Sequence, residues 1–217
     1  MNIATRPALL LSMLCLLLAG TQSHAGGSDT ASRLFGSKKH FVAEFGTTLP
    51  PIGFVNFCSR SPEDCRATGK SPKKIKLTPT ELTTLYQVNT FVNGRIMPVS
   101  DEELYGEAEY WTYPEDAGDC EDMVLLKKKH LTALGFPPEA LRITVVLDEN
   151  MQGHAVLTVT TTEGDFVLDN RVNEIKLWSE VNYVLLKRQS AQDPKSWKSL
   201  SRDLAATRQQ AEASGSK

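Results

Sequence analysis

Cysteine and histidine are scarce in this sequence, with four of each among 217 residues, and no group of them has zinc-ligand spacing. No charge of one sign prevails. The 24 Lys and Arg stand against 26 Asp and Glu, a net of −2. This excludes a strongly basic nucleic-acid binder and a highly charged unfolded chain. Glycine (14) and proline (11) are not enriched, which removes the collagen-like and low-complexity classes. No internal repeat is present. What remains is an ordinary globular composition, 41% apolar and 23% charged, long enough for one domain with a proper core.

Long apolar runs are equally few, and the one from Ala8 to Ala19 follows a short segment carrying Arg6. It falls short of the roughly 20 residues of a membrane span. The small-residue exit Ser23-His24-Ala25 offers a cleavage site, so residues 1–25 are expected to be a secretory signal peptide. The expected remainder is a weakly ordered segment over 26–40, one domain over 41–200 and a polar tail over 201–217. Export sets the reading of the cysteines. Cys15 leaves with the signal, and Cys58, Cys65 and Cys120 stay. Cys58 and Cys65 flank a short loop containing Pro62, and bridging them would restrict the unfolded chain by about 2.5 kcal/mol. They are expected to pair as a structural staple, which leaves Cys120 without a partner.

The pattern along the chain predicts helices first and strands after. Phe41 to Phe57, broken by Gly46, Pro50, Pro51 and Gly53, reads as irregular chain against the core. Thr78-Pro79-Thr80-Glu81 has the form of a capping box opening a helix, continued by Leu82, Leu85, Val88 and Phe91/Val92 to Gly94. Asn89 and Asn93 read as exposed polar residues on it. A second helix starts after Asp119 and ends before Gly135, with Lys127-Lys128-Lys129 read as its solvated face. Residues 142–147, 154–160 and 165–169 then alternate around turns at Asp148-Glu149-Asn150 and Glu163-Gly164, an antiparallel meander. A further strand is expected over 182–187, and a frayed helix from Ala205. A helical half followed by a sheet half makes the class α+β.

Three residues acquire chemistry from this layout. Cys120 falls in the first turn of a helix, where free backbone N–H groups and the helix dipole favour a thiolate. The same N–H groups can receive an oxyanion forming on an attacked carbonyl. His154 opens one strand and Asp169 closes its hairpin partner, which brings them close. An Asp there can hold one ring nitrogen while the other faces the sulfur, the arrangement of nucleophile, base and orienting acid. Zinc on Cys120 and His154 is the weaker option, since no fourth ligand has the spacing for it.

The segments Trp111-x-x-Pro114, Gly118-Asp119-Cys120-Glu121-Asp122, Gly153-His154-Ala155-Val156-Leu157, Val167-Leu168-Asp169-Asn170 and Tyr183-x-x-x-x-Arg188-Gln189-Ser190 resemble the bacterial transglutaminase-like cysteine proteinases, among them the periplasmic LapG-type proteases that release biofilm adhesins. The resemblance runs from about Phe54 to Trp197. It implies a papain-like transglutaminase core with its nucleophile at a helix N-terminus packed on an antiparallel sheet, and Cys120, His154 and Asp169 as a catalytic triad. It implies a periplasmic cysteine peptidase acting on a protein substrate, a surface protein or adhesin, under an inner-membrane regulatory receptor, with no nucleic-acid partner. The Cys58/Cys65 block sets the chain apart from the adhesin-cleaving members. Asp119, Glu121 and Asp122 match positions that bind calcium in LapG-type members. The alternative for these acids is a helix cap that complements the dipole. The same triad could also transfer an acyl group to an amine, as a transglutaminase or amidase does. A non-catalytic exported binding module is the remaining alternative.

Overall fold

The structure, a computed structural model, describes residues 40–70 and 73–203, all within one compact unit. The expected signal peptide, nearly all of the 26–40 segment and the frayed helix beyond Ala205 lie outside the described residues. Strand β1 (Thr47–Thr48) leads into helix α1 (Ile52–Arg60). The segment read as irregular is therefore partly helical. Once past Pro51, Gly53, Phe54, Phe57 and Cys58 fall on one buried face, and that burial outweighs the poor propensities of glycine and proline. A 3₁₀ turn at Pro62–Cys65 folds back, and a disulfide joins Cys65 to Cys58.

Helix α2 (Pro79–Arg95) begins where the sequence predicts. Thr78 makes no capping bond to its backbone, however, because its hydroxyl is taken by the Glu81 side chain. A capping box forms instead at Ser100 and Glu103, on the five-residue helix α3 (Asp101–Tyr105). Around α3, β2 (Met97–Pro98) and β3 (Ala117–Gly118) pair in parallel. Helix α4 (Cys120–Ala133) follows at once. Among the described residues no helix is long and apolar enough to cross a membrane.

Strands β4 (Leu141–Leu147), β5 (Gly153–Thr160) and β6 (Asp165–Leu168) form the expected antiparallel hairpins. Then come β7 (Lys176–Leu177), β8 (Val184–Gln189) and β9 (Trp197–Ser199). The sheet runs β1-β9-β8-β4-β5-β6-β7, antiparallel throughout, so β8 returns to the free side of β4 rather than extending the meander. The fold is α+β. Alternate residues along β4 and β5 feed two faces. Ile143, Ala155, Leu157 and Val159 join Leu85, Val92, Met123, Val124 and Leu131 of α2 and α4 in the main core. Val146, Val156 and Val167 make a smaller cluster on the other face with Trp178, Tyr183 and Leu185.

Candidate active site

The β5–β6 register explains how a histidine and an aspartate come together. Leu157 pairs with Leu168, so Asp169, one residue beyond β6, lies opposite Val156 and diagonal to His154 on the same face. His154 Nε2 and Asp169 Oδ1 are 3.0 Å apart, and both residues are buried. Asp169 is held from several directions. The Tyr183 hydroxyl donates to its Oδ2 at 2.5 Å and the Arg171 backbone N–H to its Oδ1 at 3.0 Å. Its carbonyl accepts from Asn93 Nδ2 at 2.9 Å. Burial works to raise the carboxyl, but the hydrogen bonds from His154, Tyr183 and the Arg171 amide outweigh it and hold it at about 2. Asp169 is therefore ionised and fixed, and with Nε2 engaged, Nδ1 is the ring nitrogen left for proton transfer.

Cys120 is the first residue of α4 and the one free cysteine among the described residues. Its sulfur lies near the backbone N–H of Ala155, the residue after His154, where α4 packs on β5. Its side-chain hydrogen bond goes to Glu121 Oε2, at 2.8 Å, and no hydrogen bond joins the sulfur to the His154 ring. Burial and then the Glu121 carboxylate push the thiol well above its ordinary range. The helix terminus alone would lower it; here burial, and after it the neighbouring acids, prevail, so the resting thiol keeps its proton.

Those acids form a compact cluster. Oxygens of Asp101, Asp119 and Asp122 lie within 4.8 Å of one another, and Asp119 also groups with Cys120 and Glu121. Asp101 and Asp122 are buried. The Tyr110 backbone N–H donates to Asp101, and that of Thr112 to Asp122 Oδ1 at 2.7 Å. Asp101 Oδ1, Asp119 Oδ1 and Asp122 Oδ2 have no partner, and no lysine or arginine pairs with these acids among the described residues. Asp119 thus makes no capping bond to α4. Burial first, and mutual repulsion after it, raises Asp119 and Asp122 to about 8. Glu121 turns to the sulfur, while Asp101, absent from the sequence-derived set, joins from α3. No pattern around Asp101 distinguishes it from the acids that follow it on α3.

Two further expectations change. Lys127 is fully buried, not on a solvated face, and Lys128 donates to Gln189 Oε1 at 2.8 Å. Asn89 is buried, and with Asn93 it grips the backbone at Val172 and Asn173. Trp111 packs in the core against Phe54. A cavity of about 420 Å³ between Phe57, Tyr113, Lys128 and Glu139 opens near the far end of α4 from Cys120.

Among solved structures, Legionella pneumophila LapG aligns at 29% identity over 54% of this chain and 66% of that one, with a TM-score of 0.46. Its EGTA-treated form aligns at 29% identity over 52% and 64%, with a TM-score of 0.45. Its calcium-bound form aligns at 25% identity over 62% and 82%, with a TM-score of 0.48. This chain thus spans just under two thirds of the first two. No curated protein matches it. The model of the family described as bacterial transglutaminase-like cysteine proteinases matches residues 44–205, the greater part of the sequence. The chain belongs to the bacterial transglutaminase-like cysteine proteinases.

Proposed function

We propose that this chain is an exported, periplasmic cysteine peptidase that cleaves a cell-surface protein through Cys120, His154 and Asp169. The observation that carries this reading is the buried His154–Asp169 pair, set beside the Ala155 amide that faces the Cys120 sulfur. Cys120 gives its proton to Nδ1 of His154 and attacks the peptide carbonyl. The first-turn N–H of α4 at Cys120 supports the oxyanion. His154 then passes the proton to the leaving amine, and water hydrolyses the thioester with His154 as base. Asp169 keeps Nε2 protonated and the ring aligned throughout.

The acid cluster fits a hard cation. It offers buried, unpartnered carboxylate oxygens from two chain segments, with no lysine or arginine paired to them among the described residues. Asp101, Asp119 and Asp122 would hold calcium, with Glu121 adjoining them through Asp119. Calcium supplies positive charge there. It leaves proton transfer to Cys120 and His154.

The test compares surface and periplasmic proteins from cells carrying the wild type or Cys120→Ala. One protein is expected to change length, and purified enzyme should cut it. On that substrate His154→Ala should lower kcat/KM by about 10²–10⁴-fold. A His154→Ala variant at wild-type rate would refute the triad. Product that retains an added primary amine in place of water would reassign the enzyme to acyl transfer.

A further inference from the structure

Val146 of β4 pairs with His154 of β5 on one side and with Leu185 of β8 on the other. The three share one face of the sheet, and Tyr183, two residues before Leu185, falls on that face too. Its side chain can therefore cross over β4 toward the start of β5, where it meets both members of the pair. The hydroxyl donates to Asp169 Oδ2 at 2.5 Å. The ring stands steeply to the His154 imidazole, at 76° with 5.7 Å between centroids. Tyr183 also packs against the smaller cluster of Val146, Val156 and Val167. Neither member of the pair fixes itself, because χ2 of histidine and of aspartate are both broad torsions. Asp169 Oδ1 serves His154 and the Arg171 amide, whereas Oδ2 takes its hydrogen bond from Tyr183. The Arg171 guanidinium is turned elsewhere, to Asp148 at 2.8 Å and to Glu149.

We propose that Tyr183 is a positioning residue for the His154–Asp169 pair, its hydroxyl fixing the plane of the carboxylate and its ring the plane of the imidazole, and so the direction of Nδ1. This rests on the triad reading above. A carboxylate tied through one oxygen can turn about its Cβ–Cγ bond, and the histidine held by that oxygen turns with it. A second bond, at Oδ2, removes that freedom. An imidazole engaged at Nε2 can still rock about that bond, and the Tyr183 ring set against it limits the swing. The valines of the smaller cluster ask only for apolar surface, which phenylalanine would supply as well. The hydroxyl answers instead to Asp169. Burial, and after it the bond to Asp169, pushes that hydroxyl above its ordinary range, so it stays a donor through neutral and mildly alkaline pH.

Two measurements test this without a known substrate: the rate of Cys120 alkylation by iodoacetamide, and the low-field proton resonance of the His154 Nε2–H. Tyr183→Phe keeps the ring and loses the donor. It should react about tenfold more slowly at neutral pH and shift or broaden the resonance. Asp169→Asn should be slower still, and adding Tyr183→Phe to it should cost nothing further, because the hydroxyl acts through the carboxylate. Tyr183→Leu, which removes the ring as well, should be slower than Tyr183→Phe. If Tyr183→Phe alkylates at the wild-type rate with the resonance unmoved, whatever its melting temperature, the tyrosine is packing alone and the inference fails. Multiplicative losses in the Tyr183→Phe/Asp169→Asn variant, or equal rates for Tyr183→Phe and Tyr183→Leu, would equally overturn it. Should Tyr183→Phe not fold, 3-fluorotyrosine at position 183 takes its place. Its more acidic hydroxyl should move the same resonance, and an unmoved one decides against the proposal. An alkylation rate unchanged by His154→Ala would instead overturn the triad reading.

Discussion

Asp169 is a carboxylate whose ionised form the fold prefers, and the sign of that preference fixes a pH dependence. Its folded-state value, about 2, lies below that of an unfolded aspartate. The contribution is therefore complete above about pH 4 and is lost as pH falls toward 2. Wild type should lose about 2 kcal/mol more than Asp169→Asn between pH 5 and 2.5, measured from urea midpoints. Equal losses would show that the pair does not stabilise the ionised aspartate. At this scale the triad candidates were legible because each sits at an element boundary that turn and cap residues announce. Lys127 was not read as buried, although Met123, Lys127 and Leu131 recur every four residues and so define the core-facing stripe. Three adjacent lysines drew attention to charge instead of period.

Among the elements, α1 and α3 are the least announced by local pattern, and both brace the chain that leads to Cys120. From α1, Arg60 donates to the Trp111 carbonyl at 2.8 Å and stacks over Tyr110, 4.1 Å from the ring centre. The neighbouring amides of Tyr110 and Thr112 hold Asp101 and Asp122. Gly53 of α1 lies so close that a β-carbon there would press into the Trp111 indole. Gly53→Ala should cost about 1–3 kcal/mol, read from urea midpoints, whereas Gly94→Ala, with open space around it, should cost nothing. From α3, Asp101 completes the acid cluster. Millimolar calcium should raise the melting temperature of the chelator-treated protein by several degrees. Asp101→Ala should remove that rise, as calorimetric titration can check independently. Persistence of full calcium stabilisation in Asp101→Ala would place any site elsewhere.

For the whole molecule, the sheet is locked on β4, β6 and β8 by a set of charges in which Arg142, Asp165 and Arg188 are buried and Glu44 is partly exposed. Arg188 meets Asp165 at 3.0 Å and Glu44 at 2.9 Å, and Arg142 meets Glu44 at 2.7 Å. Removing Asp165 takes away the buried one of the two acids and leaves the buried Arg142 and Arg188 to share Glu44. Asp165→Ala should therefore destabilise by about 3–5 kcal/mol, measured by chemical denaturation; a loss below 1 kcal/mol would mean that solvent reaches the network. This lock was illegible in the sequence, because β1 and β9 are too short to show a period and the β4–β8 pairing is not local. The local hairpins, by contrast, were read nearly to the residue. That contrast carries over to the order of assembly. His154 and Asp169 belong to neighbouring strands of a single hairpin, whereas Cys120 joins them through the docking of α4 on β5. Short loops close sooner than long ones, so His154 and Asp169 can meet while Cys120 is still on undocked chain. On the proposed triad, Cys120 has neither His154 nor the packed start of α4 beside it until that docking occurs, which leaves the unfolded chain's own peptide bonds out of its reach.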